Sequence, residues 1–75
     1  MGSTDFLTGA QIATIVDNTT STTLIYIGKA EIGTATSAAL WTIMRIDTTN
    51  GALIAWANSG TDDQIWDNRA SLTYT

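Results

Sequence analysis

Few side chains in this sequence could do chemistry, and the most concentrated group is the acids of "GTDDQIWDN". Asp62, Asp63 and Asp67 lie within six residues of one another, and the chain contains neither histidine nor cysteine. General acid–base catalysis most often uses histidine, and nucleophilic catalysis commonly uses an activated serine or cysteine beside a base. Two carboxylates that hydrolyse a glycoside flank the sugar across a cleft, whereas these three share one loop segment. We therefore predict that the chain is not an enzyme.

The same three acids are a candidate calcium site, because calcium binds closely spaced carboxylate and carbonyl oxygens. An EF-hand loop alternates its acids before a glycine and ends on a glutamate. Here two acids are adjacent, the third follows four residues later, and no glutamate comes after it. This spacing favours a capped turn with solvated carboxylates. Thiolate and imidazole metal sites need cysteine or histidine, so we predict no metal and no cofactor.

Three tryptophans could form a binding platform, since aromatic rings stack on the faces of sugars. Trp41 alternates with Ile43, Trp56 alternates with Ile54, and Trp66 follows the acidic loop. A tryptophan that alternates with isoleucine is typical of a sheet core, where it buries a large apolar area. We favour core packing for the tryptophans, with a contact between subunits and a carbohydrate platform as the alternatives.

Two arginines complete the candidate residues. Arg45 shares a predicted strand face with Trp41 and Asp47, so an ion pair with Asp47 would lie near the strand end, and Arg69 could pair locally with Asp67. An isolated surface pair contributes only about 0–1 kcal/mol. A buried arginine that reaches loop carbonyls would contribute more. We predict core or interface contacts for five residues in all: Trp41, Arg45, Trp56, Trp66 and Arg69.

Alternation of apolar and polar residues predicts the elements that position these side chains. The turn "TTNG" ends in Asn50-Gly51, a pair that tolerates the positive φ of short hairpin loops. Gly28 within a strand predicts a bulge or a close approach by another backbone. We expect strands at residues 11–17, 23–31, 39–47, 52–57 and 70–74, and a short helical turn from Thr61 to Asp67. The fold class is all-β: a small antiparallel sheet, sandwich or barrel of four or five strands, with an N-terminal arm at residues 1–10 and a single domain at 11–75.

Size and composition indicate assembly. A domain of 75 residues buries only about 60% of its unfolded surface, and small domains compensate with disulfides, metals or oligomerisation. Disulfides and cysteine or histidine metal sites are excluded, so we expect a homo-oligomer. Fifteen threonines and only 13% charged residues suit a surface that lies against neighbouring copies. The net charge of −4 lacks the basic footprint of a nucleic-acid binder, so we predict neither nucleic-acid nor membrane binding.

Two stretches resemble a known family. "YIGKAEIGTATSAALWTIMRID" at residues 26–47 and "WDNRASLTY" at residues 66–74 resemble small proteins encoded in tailed-bacteriophage genomes. In that family a "YxGxA" strand, a "GTATS"-like loop, a "W-x-I-x-R-I" strand and a terminal "W-D-x-R-x-x-L-x-Y" recur. Ile32 stands where the family pattern has proline, so this loop is expected to be less rigid. The resemblance implies a structural component of the virion and implies no catalytic residue.

The function expected from these observations is structural. We expect a non-enzymatic component of a bacteriophage particle, located in the tail, neck, fibres or capsid surface. It would assemble with copies of itself and with other virion proteins through strand edges, the "GTATS" loop and the N-terminal arm. The alternative is a receptor- or glycan-binding β-module on the same particle.

Overall fold

The computed structural model describes residues 12–75 of the chain, and the predicted arm at residues 1–10 lies outside them. The fold is a five-stranded antiparallel sheet with short 3₁₀ helices, which confirms the all-β prediction. The strands are β1 (Ile12–Asp17), β2 (Leu24–Glu31), β3 (Ala39–Asp47), β4 (Leu53–Trp56) and β5 (Gln64–Ile65). The 3₁₀ helices are η1 (Asn58–Gly60) and η2 (Trp66–Ser71).

The first four strands form a meander in the order β1-β2-β3-β4. In its register Val16 lies opposite Ile27, Ile27 opposite Met44, and Met44 opposite Trp56. Strand β5 pairs with the first residues of β3, at Ala39 and Trp41, with an irregularity between them. The short β5 therefore continues the line of β4 along β3, after the chain has passed through η1.

The tight connection between β3 and β4 uses the chemistry that its residues predict. In the hairpin between β3 and β4, Gly51 has a φ of 90°, a conformation that glycine adopts without steric cost. The backbone N–H of Thr49 donates to Asp47 Oδ1 over 2.9 Å. The N–H of Thr48 donates across to the carbonyl of Thr23 over 2.8 Å. These bonds fix the end of the hairpin next to the start of β2.

The C-terminal part of the chain differs from the predictions. The predicted helical turn from Thr61 to Asp67 is wrong, since η1 precedes Thr61 and β5 occupies residues 64–65. Asn58 and Ser59 adopt positive φ angles of 47° and 60°, which turn the chain after Ala57. The predicted strand at residues 70–74 is also wrong: η2 continues to Ser71, and only Tyr74 makes an isolated bridge, to Ala57.

The core lies on one face of the sheet, beneath η2 and the last residues of the chain. Its buried members are Tyr26, Trp41, Ile43, Ala57 and Trp66, and partly buried residues such as Leu72 and Tyr74 pack against them. The ring of Trp66 packs directly on Gly28. A Cβ at that position would lie only 2.5 Å from Trp66 Cε3. The close approach predicted at Gly28 is thus made by a side chain rather than by a backbone.

Candidate interaction surface

Trp41 and Trp66 form the centre of the core. Their side chains are only 1% and 5% exposed, and their ring centroids lie 6.1 Å apart in a tilted arrangement. Trp41 Nε1 donates to the carbonyl of Ala35 over 2.9 Å, so this buried donor is satisfied. The same bond ties the "GTATS" loop to β3. The backbone N–H of Asp67 donates to Thr36 in that loop over 3.1 Å.

Arg69 joins two elements that are distant in the sequence. Its Nε lies 2.9 Å from Asp17 Oδ2, its guanidinium stacks 4.6 Å from the Trp66 ring, and its Nη1 donates to the Trp66 carbonyl over 3.2 Å. The arginine therefore pairs with Asp17 of β1 rather than with Asp67, two positions before it, as the sequence suggested. Within residues 12–75 this is the single side-chain ion pair.

Asp17 is the buried partner of that pair, and its second oxygen caps the turn after β1. Asp17 Oδ1 accepts hydrogen bonds from the backbone N–H groups of Thr19, over 3.1 Å, and Thr20, over 3.0 Å. The hydrogen bonds from Thr20, then that from Thr19, hold the pKa of Asp17 well below its usual range. Both carboxylate oxygens are thus occupied by protein groups. The Asp17–Arg69 cluster is a structural clamp between β1 and η2.

Arg45 lies on the covered face, stacked 4.6 Å from the centre of the Tyr74 ring. Its Nε is buried and finds no hydrogen-bond partner among residues 12–75, and the predicted ion pair with Asp47 does not form. Burial, and then the neighbouring Tyr26, raise the pKa of Tyr74 to about 12. Because the guanidinium of Arg45 lies against the ring of Tyr74, an aromatic face rather than a carboxylate holds this cation. Arg45 thus makes a core contact.

The opposite face of the sheet is apolar and uncovered by any described element. One row crosses four strands through Val16, Ile27, Met44 and Trp56, and a second row holds three isoleucines. Val16 is 56% exposed, Ile54 55% and Trp56 42%. We define the apolar face by these seven residues: Val16, Ile25, Ile27, Met44, Ile46, Ile54 and Trp56. Contiguous exposed apolar patches mark interaction sites on soluble proteins.

The apolar face ends in a charged depression of about 420 Å³ near the β2–β3 connection. Lys29, Thr42 and Asp62 line it, together with Glu31 and the exposed Ile12 and Leu40. In the part of the chain that the structure covers, no group of three or more acids is placed to hold a metal ion. Of the three acids in the "GTDDQIWDN" segment, Asp62 lines the depression, and it contributes one negative charge to this end of the face.

The two lateral edges of the sheet differ in whether their backbone groups are paired. The outer edge of β4 is paired with the last residues of the chain: the N–H of Thr75 donates to the Trp56 carbonyl over 2.9 Å, and the N–H of Asn58 to Thr73 over 2.8 Å. Between residues 12 and 75, no strand pairs with the outer edge of β1. Free strand edges are templates for pairing with other chains.

Comparison with known proteins finds no matching family model, no matching curated protein and no matching solved structure. The resemblance to phage proteins therefore stays a prediction. None of the helices in residues 12–75 is long and apolar enough to cross a membrane.

Of the five candidate residues, four contact the core and one lies on the apolar face. Trp41 and Trp66 are brought together, and Arg69 joins them, whereas Trp56 points to the other side. Sequence reasoning missed the rest of the apolar face. The signal was present in "TLIYI", where both alternating sets of residues are apolar, because such a strand is typical of a sheet covered on both faces.

Proposed function

We propose that this chain is a non-enzymatic structural component of a tailed-bacteriophage particle, present in multiple copies and built in through its apolar face. The observation that carries the proposal is the face with seven apolar side chains that no element of residues 12–75 covers. The resemblance of residues 26–47 and 66–74 to phage proteins supports a bacteriophage particle as the assembly. The outer edge of β1, which no strand of residues 12–75 pairs with, and the exposed "GTATS" loop supply further surfaces for neighbours.

The face favours a constitutive contact over a transient one. None of its seven side chains carries a charge, and covering apolar surface contributes about 25 cal/mol per Å². A surface of this kind is stable when another protein covers it for the lifetime of the assembly. A structural subunit of a particle meets that condition.

The polar groups favour a structural role over catalysis. The most strongly perturbed acid, Asp17, uses both carboxylate oxygens within the protein. Arg69 contacts Asp17 and Trp66, and Arg45 stacks on Tyr74. Catalytic groups need a free acceptor or donor in reach of a substrate. These groups instead hold the sheet to the segment that covers it.

Mass spectrometry of purified particles tests the proposal. Trypsin cuts after Lys29, Arg45 and Arg69, which gives diagnostic peptides at residues 30–45 and 46–69. We expect both peptides in gradient-purified virions, in several copies per particle relative to a virion protein of known copy number. Their absence from the particles, together with their presence in the infected-cell lysate, would contradict the proposal.

A matched pair of isoleucine variants tests the surface within the same experiment. Ile54 lies on the apolar face and is 55% exposed, whereas Ile32 lies in the turn after β2 and is 62% exposed. Ile54→Glu should strongly reduce incorporation into particles, and Ile32→Glu should not. Equal incorporation of the two variants would show that another surface makes the contact.

Trp56 supports a second candidate, a glycan-binding module. It is the exposed tryptophan of the three, and it lies on the apolar face, opposite Met44. Titration of the intrinsic fluorescence with host polysaccharide tests this function, since Trp41 and Trp66 are buried. A saturable blue shift that disappears in Trp56→Phe would support it, and no change at millimolar sugar would exclude it.

A further inference from the structure

We infer that the partner of the apolar face is a second copy of this chain, packed face to face about a twofold axis. The axis runs parallel to the strands, between β2 and β3. The two sheets would then form a β-sandwich, with their inner faces about 10 Å apart. This inference rests on the proposed function only in taking the apolar face as the covered surface, and it holds with or without a virion.

The size of the face fits a stable dimer. The strands β1 to β4 contain six, eight, nine and four residues, and at about 4.8 Å between strands and about 3.3 Å per residue the sheet they form covers about 430 Å² in projection. A specific interface buries at least about 1,000 Å² in total over both partners. Two copies of the sheet give about 860 Å² in projection, and contacts of Asp62, which lies outside these strands at the end of the face, extend the buried area towards that value.

The shape of the face fits itself under this symmetry. The first row runs from Val16 on β1 to Trp56 on β4, through Ile27 and Met44. An axis between β2 and β3 places β1 of one copy over β4 of the other. Val16, the smallest side chain of the row, then lies over Trp56, the largest, and Ile27 lies over Met44. Such alternation of small and large residues lets facing layers interdigitate.

Lys29 and Asp62, two of the three charged residues at the end of the face, are also complementary under this symmetry. Lys29 lies on β2 and Thr42 opposite it on β3, and Asp62 lines the same depression beyond β3. When β2 of one copy lies over β3 of the other, Lys29 approaches Asp62 of the second copy. The twofold axis produces this ion pair twice. Opposite charges at the rim of an interface fix its orientation.

The chain's own first residues are a poorer match for the face. Residues 1–11 contain three large apolar side chains, Met1, Phe6 and Leu7, whereas the face presents seven. Eleven residues are also fewer than the 27 residues of the four strands that form the face. A sheet of equal size is the occupant that covers it.

Sedimentation equilibrium of the full chain is the first test. We expect a dimer at about 10 μM, a dissociation constant raised at least about 100-fold in Ile54→Glu because two charges become buried, and a value within about two-fold of wild type in Ile32→Glu. Circular dichroism establishes that each variant is folded. A folded wild-type chain that stays monomeric at 100 μM would overturn the inference, whereas tryptic peptides in virions would still support the proposed function.

Cross-linking between copies tests the direction of the axis. The chain has no cysteine, so Val16→Cys and Trp56→Cys each introduce a single thiol. A short bismaleimide should join the two variants when they are mixed, and should join neither variant to itself. An axis perpendicular to the strands would instead join Val16→Cys to itself, and that result would overturn the inference. Mixing Val16→Cys with Leu53→Cys is the control, because Leu53 lies on the other face.

Charge reversal tests the two ion pairs. Lys29→Asp and Asp62→Lys should each raise the dissociation constant about two- to five-fold per pair, the range of exposed ion pairs. Because the twofold axis repeats the pair, the double variant should return to within about two-fold of wild type. Equal weakening in the single and double variants would place Lys29 and Asp62 out of contact.

Discussion

Trp66 owes its position to the missing side chain at Gly28. The indole covers the middle of β2, where Gly28 lies between Ile15 on β1 and Ile43 on β3. A Cβ at residue 28 would approach Trp66 Cε3 to 2.5 Å and Cζ3 to 2.7 Å. The glycine therefore creates the seat for the ring that joins η2 to the sheet.

Gly28→Ala is expected to destabilise the protein by about 1–3 kcal/mol, the cost of overpacking a well-packed core. The neighbours cannot move away freely, because Trp41 Cε3 also lies 3.2 Å from the added atom. Urea unfolding followed by tryptophan fluorescence measures the effect. In a Trp66→Phe background the fused ring is missing, so the same substitution should cost less. An equal cost in both backgrounds would contradict the role given to Trp66.

The covering segment is held to the sheet by contacts that span the chain. Asp17 ends β1 and Arg69 lies in η2, 52 positions later. Tyr74 OH donates to the Arg69 carbonyl over 2.8 Å, and Thr75 pairs with Trp56. The segment after β5 thus depends on partners in β1 and β4, and little of its shape is local.

The clamp between β1 and η2 should make the protein sensitive to acid. The pKa of Asp17 in the folded state lies below the ordinary value of 3.8, so its contribution is present above pH 3.8 and is lost as the pH falls towards the folded pKa. The free energy of unfolding in urea, measured from pH 6 to pH 2, should fall steeply below pH 4. Asp17→Asn should be less stable than wild type at pH 6 and should show a smaller fall.

The control for this prediction is Asp67→Asn, which removes an exposed acid two positions before Arg69. This variant should keep the wild-type acid sensitivity. Some sensitivity should remain in Asp17→Asn, because hydrogen bonds from Thr49 and Thr61 lower the pKa values of Asp47 and Asp63. If Asp67→Asn lost the acid transition completely, Asp67 rather than Asp17 would be responsible for the acid sensitivity.

The contrast between local and distant contacts explains which elements the sequence predicts. The first four strands are predicted to within one residue, because alternation and the Asn50-Gly51 turn are local signals. Residues 70–74 alternate as a strand does, yet Leu72 and Tyr74 instead pack over the core. The partners that decide this, Asp17 and Trp56, lie far away in the chain. The Arg69–Asp17 pair and the packing of Trp66 on Gly28 could not be predicted for the same reason.

At the scale of the whole molecule, one face of the sheet lacks a covering layer among residues 12–75. Stable domains bury each apolar sheet face against another layer. Here η2 and the last residues cover one face, and no element in residues 12–75 covers the other. The composition pointed to assembly through the absence of cysteine and histidine, but it did not indicate which surface is used. The register of Val16, Ile27, Met44 and Trp56 supplies that surface.

If two copies complete the missing layer, thermal stability must depend on protein concentration, because association of folded chains stabilises them by mass action. Each tenfold increase in concentration adds about 1.4 kcal/mol per dimer, or about 0.7 kcal/mol per chain. For a domain of this size, that corresponds to a rise in Tm of about 3–6 °C. Calorimetry from 10 μM to 1 mM measures this slope. Ile54→Glu should remove it and Ile32→Glu should retain it, whereas a wild-type Tm that is constant over this range would mean that the apolar face stays uncovered in solution.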